Sequence, residues 1–118
     1  MTITASVLCV ALALYKESRG EEPLGQHYVA NVILNRAKIW HLTPCQVIAQ
    51  PGQFPWYAKP HNVNKNSKEW ELSLQLAKRI IAHPVDKTGG AIYFNEKKQG
   101  RKYKTKVAKK IVGNHIFY

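Results

Sequence analysis

Acidic side chains are scarce in this sequence: seven Asp and Glu stand against eighteen Lys and Arg in 118 residues, a formal charge of +11. They are Glu17, Glu21, Glu22, Glu69, Glu71, Asp86 and Glu96, so Asp86 is the sole aspartate. Neither these carboxylates nor the five scattered histidines show ligand spacing, so no metal centre or other cofactor is expected. Cysteine is equally sparse. Cys9 and Cys45 allow at most one bridge, match no zinc spacing, and are expected to be buried free thiols. Long apolar runs are missing too. The uncharged stretch from Thr2 to Tyr15 is shorter than the ~18 residues of a membrane span and has no basic leader in front of its Ala11-Leu12-Ala13 triplet. It is read as a buried helix rather than a signal peptide, with no membrane span expected. Internal repeats and low-complexity tracts are absent as well.

What remains is ordinary globular composition, 45% hydrophobic and 21% charged, in a chain long enough for one core. A single domain over residues 1–118 is expected. The positive charge favours an anionic partner: nucleic acid, an acidic membrane face or a wall polymer. Residues 5–19 are apolar nearly all round, as a central helix would be, and Gly20 is a natural stop. Pro23 opens a second helix reaching about Lys38, and Thr43-Pro44 a short one through Ala49. The stretch QPGQFPWYAKPHN is an aromatic loop. Asn66, with Glu69 three residues on, caps a third long helix that buries Trp70, Leu74, Ala77 and Ile81 and ends before Pro84. DKTGG is a turn, Ala91–Phe94 a short strand, and a basic run separates that strand from the terminal IVGNHIFY. The fold class is therefore mainly α (α+β), with a small β element.

Three of the seven carboxylates fall within Glu17–Glu22. Glu69 and Glu71 belong to a helix first turn, where the dipole favours negative charge, and Glu96 borders lysines as a surface ion-pair partner. Glu17 is different. Near the C-terminal end of an apolar helix, the dipole and partial burial both raise its pKa, as a general acid near neutral pH requires. Arg19, two residues on, faces another side of the helix.

The blocks ESRGEEPLGQHYVANVILNR, CQVIAQPGQF, DKTGGAIYF and IVGNHIFY, in that order from about Leu8 to Tyr118, resemble the cell wall hydrolase family of the spore-cortex-lytic (SleB-like) enzymes. Ser18 stands where the family more often has Ala, and the proline after the second glutamate is displaced by one, to Pro23. The resemblance implies a lysozyme-like fold acting on peptidoglycan, with lytic transglycosylase chemistry at the bond between N-acetylmuramic acid and N-acetylglucosamine. A hydrolytic muramidase is the alternative. Glu17 aligns with the family's catalytic glutamate, and a transglycosylase needs only one such group because the sugar's C6 hydroxyl replaces water.

From the matching loop blocks, Gln53, Phe54, Tyr93 and Asn95 are expected to bind substrate. Neighbouring strand residues face opposite ways, so Tyr93, with its hydroxyl, is preferred to Phe94 for the cleft. Ser18 and Glu21 are the supporting candidates; Glu21 either backs Glu17 or holds the turn. Gln26, Asn35 and His115 are expected to satisfy buried backbone groups instead.

The run Lys97–Lys110 holds eight of the eighteen basic residues together with Tyr103. It contains no recognisable nucleic-acid module, so attraction to the anionic wall is expected rather than specific nucleic-acid binding. A non-catalytic wall-binding protein is a further rival, opposed by the presence of Glu17. A small single-domain wall-lytic chain without a clear signal resembles a phage endolysin or virion-borne lysin, a monomer expected in the host cytoplasm before release to the wall if phage-encoded, and otherwise at the cell wall or in the periplasm.

Overall fold

A computed structural model describes residues 4–118. The first helix, α1 (Ala5–Ser18), is capped by the Thr4 hydroxyl, which accepts from the Val7 amide. Val10, Ala11, Ala13, Leu14 and Tyr15 are all buried, so α1 is enclosed on most of its circumference and forms the middle of the core. Around it pack α2 (Pro23–Trp40), α3 (Pro44–Ile48) and α4 (Lys68–Ala82). Proline occupies the first turn of both α2 and α3, and Thr43 and Gln46 close a reciprocal capping box on α3.

The cap of α4 is Ser67, one residue beyond the expected Asn66: its Oγ accepts from the Trp70 amide at 3.1 Å. Asn64 claims the preceding turn, its Oδ1 accepting from the Asn66 amide. Trp70, Leu74, Ala77 and Ile80 are buried, whereas Ile81 is only partly so. Cys9 and Cys45 are not free thiols. They form a disulfide across a sequence separation of 36, with Cα atoms 5.2 Å apart, because α1 and α3 pack side by side. The cysteine count allowed one bridge; only this packing brings the pair into range.

Three short strands, β1 (Phe94–Glu96), β2 (Lys110–Val112) and β3 (His115–Phe117), make an antiparallel sheet in the order β1-β3-β2. The β2–β3 hairpin turns on Gly113-Asn114. Gly113 has φ 56° while Asn114 keeps a negative φ, as in a type II′ turn. The strand expected at Ala91–Phe94 begins three residues later. Ile92 and Tyr93 both donate to the Tyr118 carbonyl, and the regular ladder starts at Phe94 opposite Phe117.

One face of α2 holds the segment that leads into β1. Asn31 Oδ1 accepts from the Lys87 amide, Asn35 Nδ2 donates to Ala91 O at 2.9 Å, and Arg36 Nε donates to Ile92 O at 2.6 Å. The expected DKTGG turn is closed by Asp86, whose carboxylate accepts from the Thr88 amide and hydroxyl and from the Gly90 amide. Partial burial works against its charge, yet these donors hold Asp86 below the usual carboxylate range. Among the described residues no helix is long and apolar enough to cross a membrane.

Candidate active site

Glu17 lies in the last turn of α1, which stops at extended Arg19 and at Gly20 with φ 85°. Arg19 turns away, its Cζ 4.5 Å from the centre of the Tyr15 ring. Facing the end of α1 is a cleft of about 260 Å³ whose lining includes Glu17, Arg36, Gln53, Phe54, Asn95 and His115. Three separate parts of the fold meet there: the helices α1 and α2, the loop after α3, and the sheet.

Burial pushes the Glu17 carboxyl above its ordinary range, and Glu96 across the cleft adds to the effect. The Trp56 indole pulls the other way, donating from Nε1 to Glu17 Oε1 at 2.8 Å, as do the nearby His115 and Arg36, but burial prevails. The result is a carboxyl group held in a partly dry site with one oxygen anchored by a neutral donor. Such a group keeps its proton to higher pH than a free carboxyl does, and can pass it to a ligand in the cleft and take one back.

Of the expected substrate contacts, Gln53, Phe54 and Asn95 line this cleft with Glu17. Phe54 is buried against Trp56 and Phe94 and forms an apolar wall. Asn95 donates to the Glu96 and Gly100 carbonyls and leaves its buried Oδ1 without a protein partner. Tyr93 does not line the cleft. Phe94 lines the cleft instead, together with its strand neighbours Asn95 and Glu96, and stacks on Phe117, while Tyr93, which precedes the strand, lines a second depression with Lys106 and Tyr118.

Ser18 is also placed elsewhere. It is buried and donates from Oγ to Leu14 O at 3.0 Å, so it finishes the helix rather than touching Glu17. Glu21 serves the turn and the cleft together. Its Oε1 accepts from the Asn114 amide at 3.0 Å, and its Oε2 lies 3.1 Å from Nδ1 of the cleft residue His115. That pair has ion-pair distance without hydrogen-bond alignment.

Gln26 and Asn35 bond backbone carbonyls as expected, at Glu21 O and Ala91 O. His115 instead lines the cleft, as do Arg36 and Glu96, and Trp56 bonds the glutamate directly. Glu96 pairs with exposed Lys98 at 3.2 Å, as its lysine neighbours suggested, yet it also faces Glu17 across the cleft. The aromatic loop had marked the region of Trp56; nothing local marks Arg36 or His115, whose roles depend on long-range packing. Among the described residues no group of three or more His, Cys, Asp or Glu side chains is placed to hold a metal ion.

A helical domain with a small sheet, and a partly buried glutamate at the end of its central helix facing a cleft, is a lysozyme-like architecture. The catalytic domain of a germination-specific lytic transglycosylase, SleB from Bacillus anthracis, superimposes with a TM-score of 0.76 at 30% identity, covering 98% of this chain and 95% of that one. The catalytic domain of the Bacillus cereus SleB protein gives 0.71 at 29% identity, covering 95% and 88%. The profile of the Cell Wall Hydrolase family matches residues 20–118, starting just after Glu17. A search of curated proteins finds no match. This chain belongs to the Cell Wall Hydrolase family.

Proposed function

We propose that this protein degrades peptidoglycan as a lytic transglycosylase, cleaving the β-1,4 bond between N-acetylmuramic acid and N-acetylglucosamine with Glu17 as its acid and base. The observation that carries the reading is the Glu17 carboxyl, raised by burial, bonded to Trp56 and open to the cleft. Protonated Glu17 gives its proton to the glycosidic oxygen as the bond from that oxygen to the muramic C1 breaks, releasing N-acetylglucosamine with a new hydroxyl. Positive charge develops at C1 and the ring oxygen. Ionised Glu17 then takes the proton of the C6 hydroxyl as that oxygen bonds to C1, which closes a 1,6-anhydro ring and restores the acid. Phe54, Gln53 and Asn95 serve to seat the sugar so that C6 rather than water is in line.

A second reading has its own observation. Glu96 is a further carboxylate on the cleft lining, and a pair of carboxylates is what a hydrolytic muramidase uses to activate water. The two readings differ in product. Mass spectrometry of fragments released from purified peptidoglycan by the wild-type protein and by Glu17→Gln is the test. Anhydromuramic ends that vanish in the variant are expected. Reducing muramic ends would establish the muramidase, and undiminished release by a folded Glu17→Gln would refute the role of Glu17. The exposed lysines of Lys97–Lys110 draw the protein to the anionic wall, acting as a diffuse charge rather than as a specific site.

A further inference from the structure

Arg36 is the cleft residue whose chemistry the proposed reaction leaves unused. It projects from the middle of α2, is 2% exposed, and lines the same cleft as Glu17. Its guanidinium has five N–H donors. Nε spends its own on Ile92 O at 2.6 Å, while Nη1 is buried without a protein acceptor. The aromatic rings of Trp40, Phe54 and Tyr93 surround it, with Cζ 5.6, 5.7 and 5.4 Å from their centres. These rings offer a cation attractive faces and fix the plane of the fork, but they accept no strong hydrogen bond.

A purely structural arginine would have its fork closed by carboxylates or carbonyls, because an unpaired buried cation is costly. No described salt bridge reaches Arg36. The cation is pre-oriented in the wall of a cleft, with a donor at Nη1 that no protein group accepts from and that a ligand seated against this wall can take up.

We infer that Arg36 reads the lactyl carboxyl group on C3 of the muramic sugar, and thereby makes the cleft select peptidoglycan glycan over chitin-like glycan. The inference rests on the proposed function, which puts the muramic C1 beside Glu17. Both sugars of the strand carry an acetamido group, but only the muramic unit carries a lactyl group. Its carboxyl carbon bears an oxygen acceptor whether it is free or joined to a peptide stem. A planar fork matches the two oxygens of the free acid and retains one partner in the amide.

The test uses Glu17→Gln, whose turnover is expected to be slow enough for binding to be read, and calorimetric affinities for two glycans of equal length. One is a peptide-stripped muramyl oligosaccharide, the other an N-acetylglucosamine oligomer. Adding Arg36→Gln is expected to weaken the muramyl ligand about 10- to 100-fold, as loss of a charged hydrogen bond implies, and to leave the chitin oligomer within about twofold. Arg36→Lys, which keeps the charge without the fork, should fall between.

Because Arg36 also holds Ile92 O, the muramyl ligand with its carboxyl reduced to an alcohol provides a measurement that needs no Arg36 variant. With Arg36 intact it should bind as weakly as the chitin oligomer. Equal weakening of both glycans by a folded Arg36→Gln, or unchanged binding of the reduced ligand, overturns the assignment while the proposed function stands. If the protein with Arg36 intact binds no muramyl ligand at all, both fall.

Discussion

The two walls of the cleft are built differently. On one side, Glu17 and Arg36 stand on α1 and α2, helices sunk in the core with a disulfide behind them. On the other, Asn95, Glu96 and His115 stand on strands of three residues each, joined by a basic segment that is mostly exposed. The raised carboxyl of Glu17 and the unpartnered Nη1 of Arg36 sit on the helical wall, and the other, thin wall depends on a small sheet whose outer strands are partly exposed. Glu21 bridges the two, leaving the end of α1 to bond Asn114 in the hairpin turn.

The strongest way to break the helical wall is at its acid. Glu17→Gln should lower turnover by about 10²–10⁴-fold with the fold intact, read by muropeptide release and circular dichroism. It should also change the dependence of stability on pH. Since the folded protein holds the Glu17 proton more tightly than the unfolded chain, wild-type stability falls as pH rises from the unfolded value through the raised native one. Denaturant titrations across that interval should show a shallower slope for Glu17→Gln.

Next comes the bridge behind α1. Removing it with Cys9→Ala and Cys45→Ala should cost about 4 kcal/mol on a chain-entropy estimate for its 36-residue separation, measured by urea unfolding. On the thin wall, Gly113→Ala combines the strain of φ 56° with a Cβ placed 2.5 Å from Glu21 Oε1. About 1–3 kcal/mol of destabilisation is expected, with a drop in activity as the link from Glu21 to Asn114 is displaced.

Trp56→Phe sharpens the comparison by keeping a ring beside Phe54 while removing the donor to Glu17. Losing a donor to the carboxylate should raise the Glu17 pKa further and move the alkaline limb of the pH–rate profile upward. The smallest effect is expected from exposed Lys104→Gln with Lys110→Gln. This pair should leave rates at high salt unchanged and flatten their decline as salt is added at low ionic strength.

The same division decides what could be read from the sequence. The helices carry their own signals: first-turn prolines at Pro23 and Pro44, the Thr43 cap, and the spacing of Trp70, Leu74 and Ala77. Their bounds followed within a residue or two, and Glu17 stood out as a carboxylate on an apolar helix. The thin wall depends on partners far along the chain. Which of Tyr93 and Phe94 faces the cleft is set by packing on Phe117 and Phe54, and neither period-two alternation nor the appeal of a hydroxyl decides that. His115 resembles any buried polar residue until Glu21 is placed beside it. Arg36 looks like an ordinary helix arginine until the segment 91–93 and the aromatic rings close around it. The disulfide was hidden in the same way, because two cysteines in separate helices reveal nothing about which helices touch.

That disulfide has a consequence for survival among proteases. It spans the exposed turn of Arg19, Gly20 and Glu22–Leu24, where a protease would find accessible backbone close to Glu17. A cut there separates Glu17 from Arg36 in sequence, but both pieces remain covalently joined through Cys9 and Cys45. A single nick therefore yields a two-chain molecule whose halves stay at high effective concentration and can remain docked, rather than two fragments free to diffuse apart.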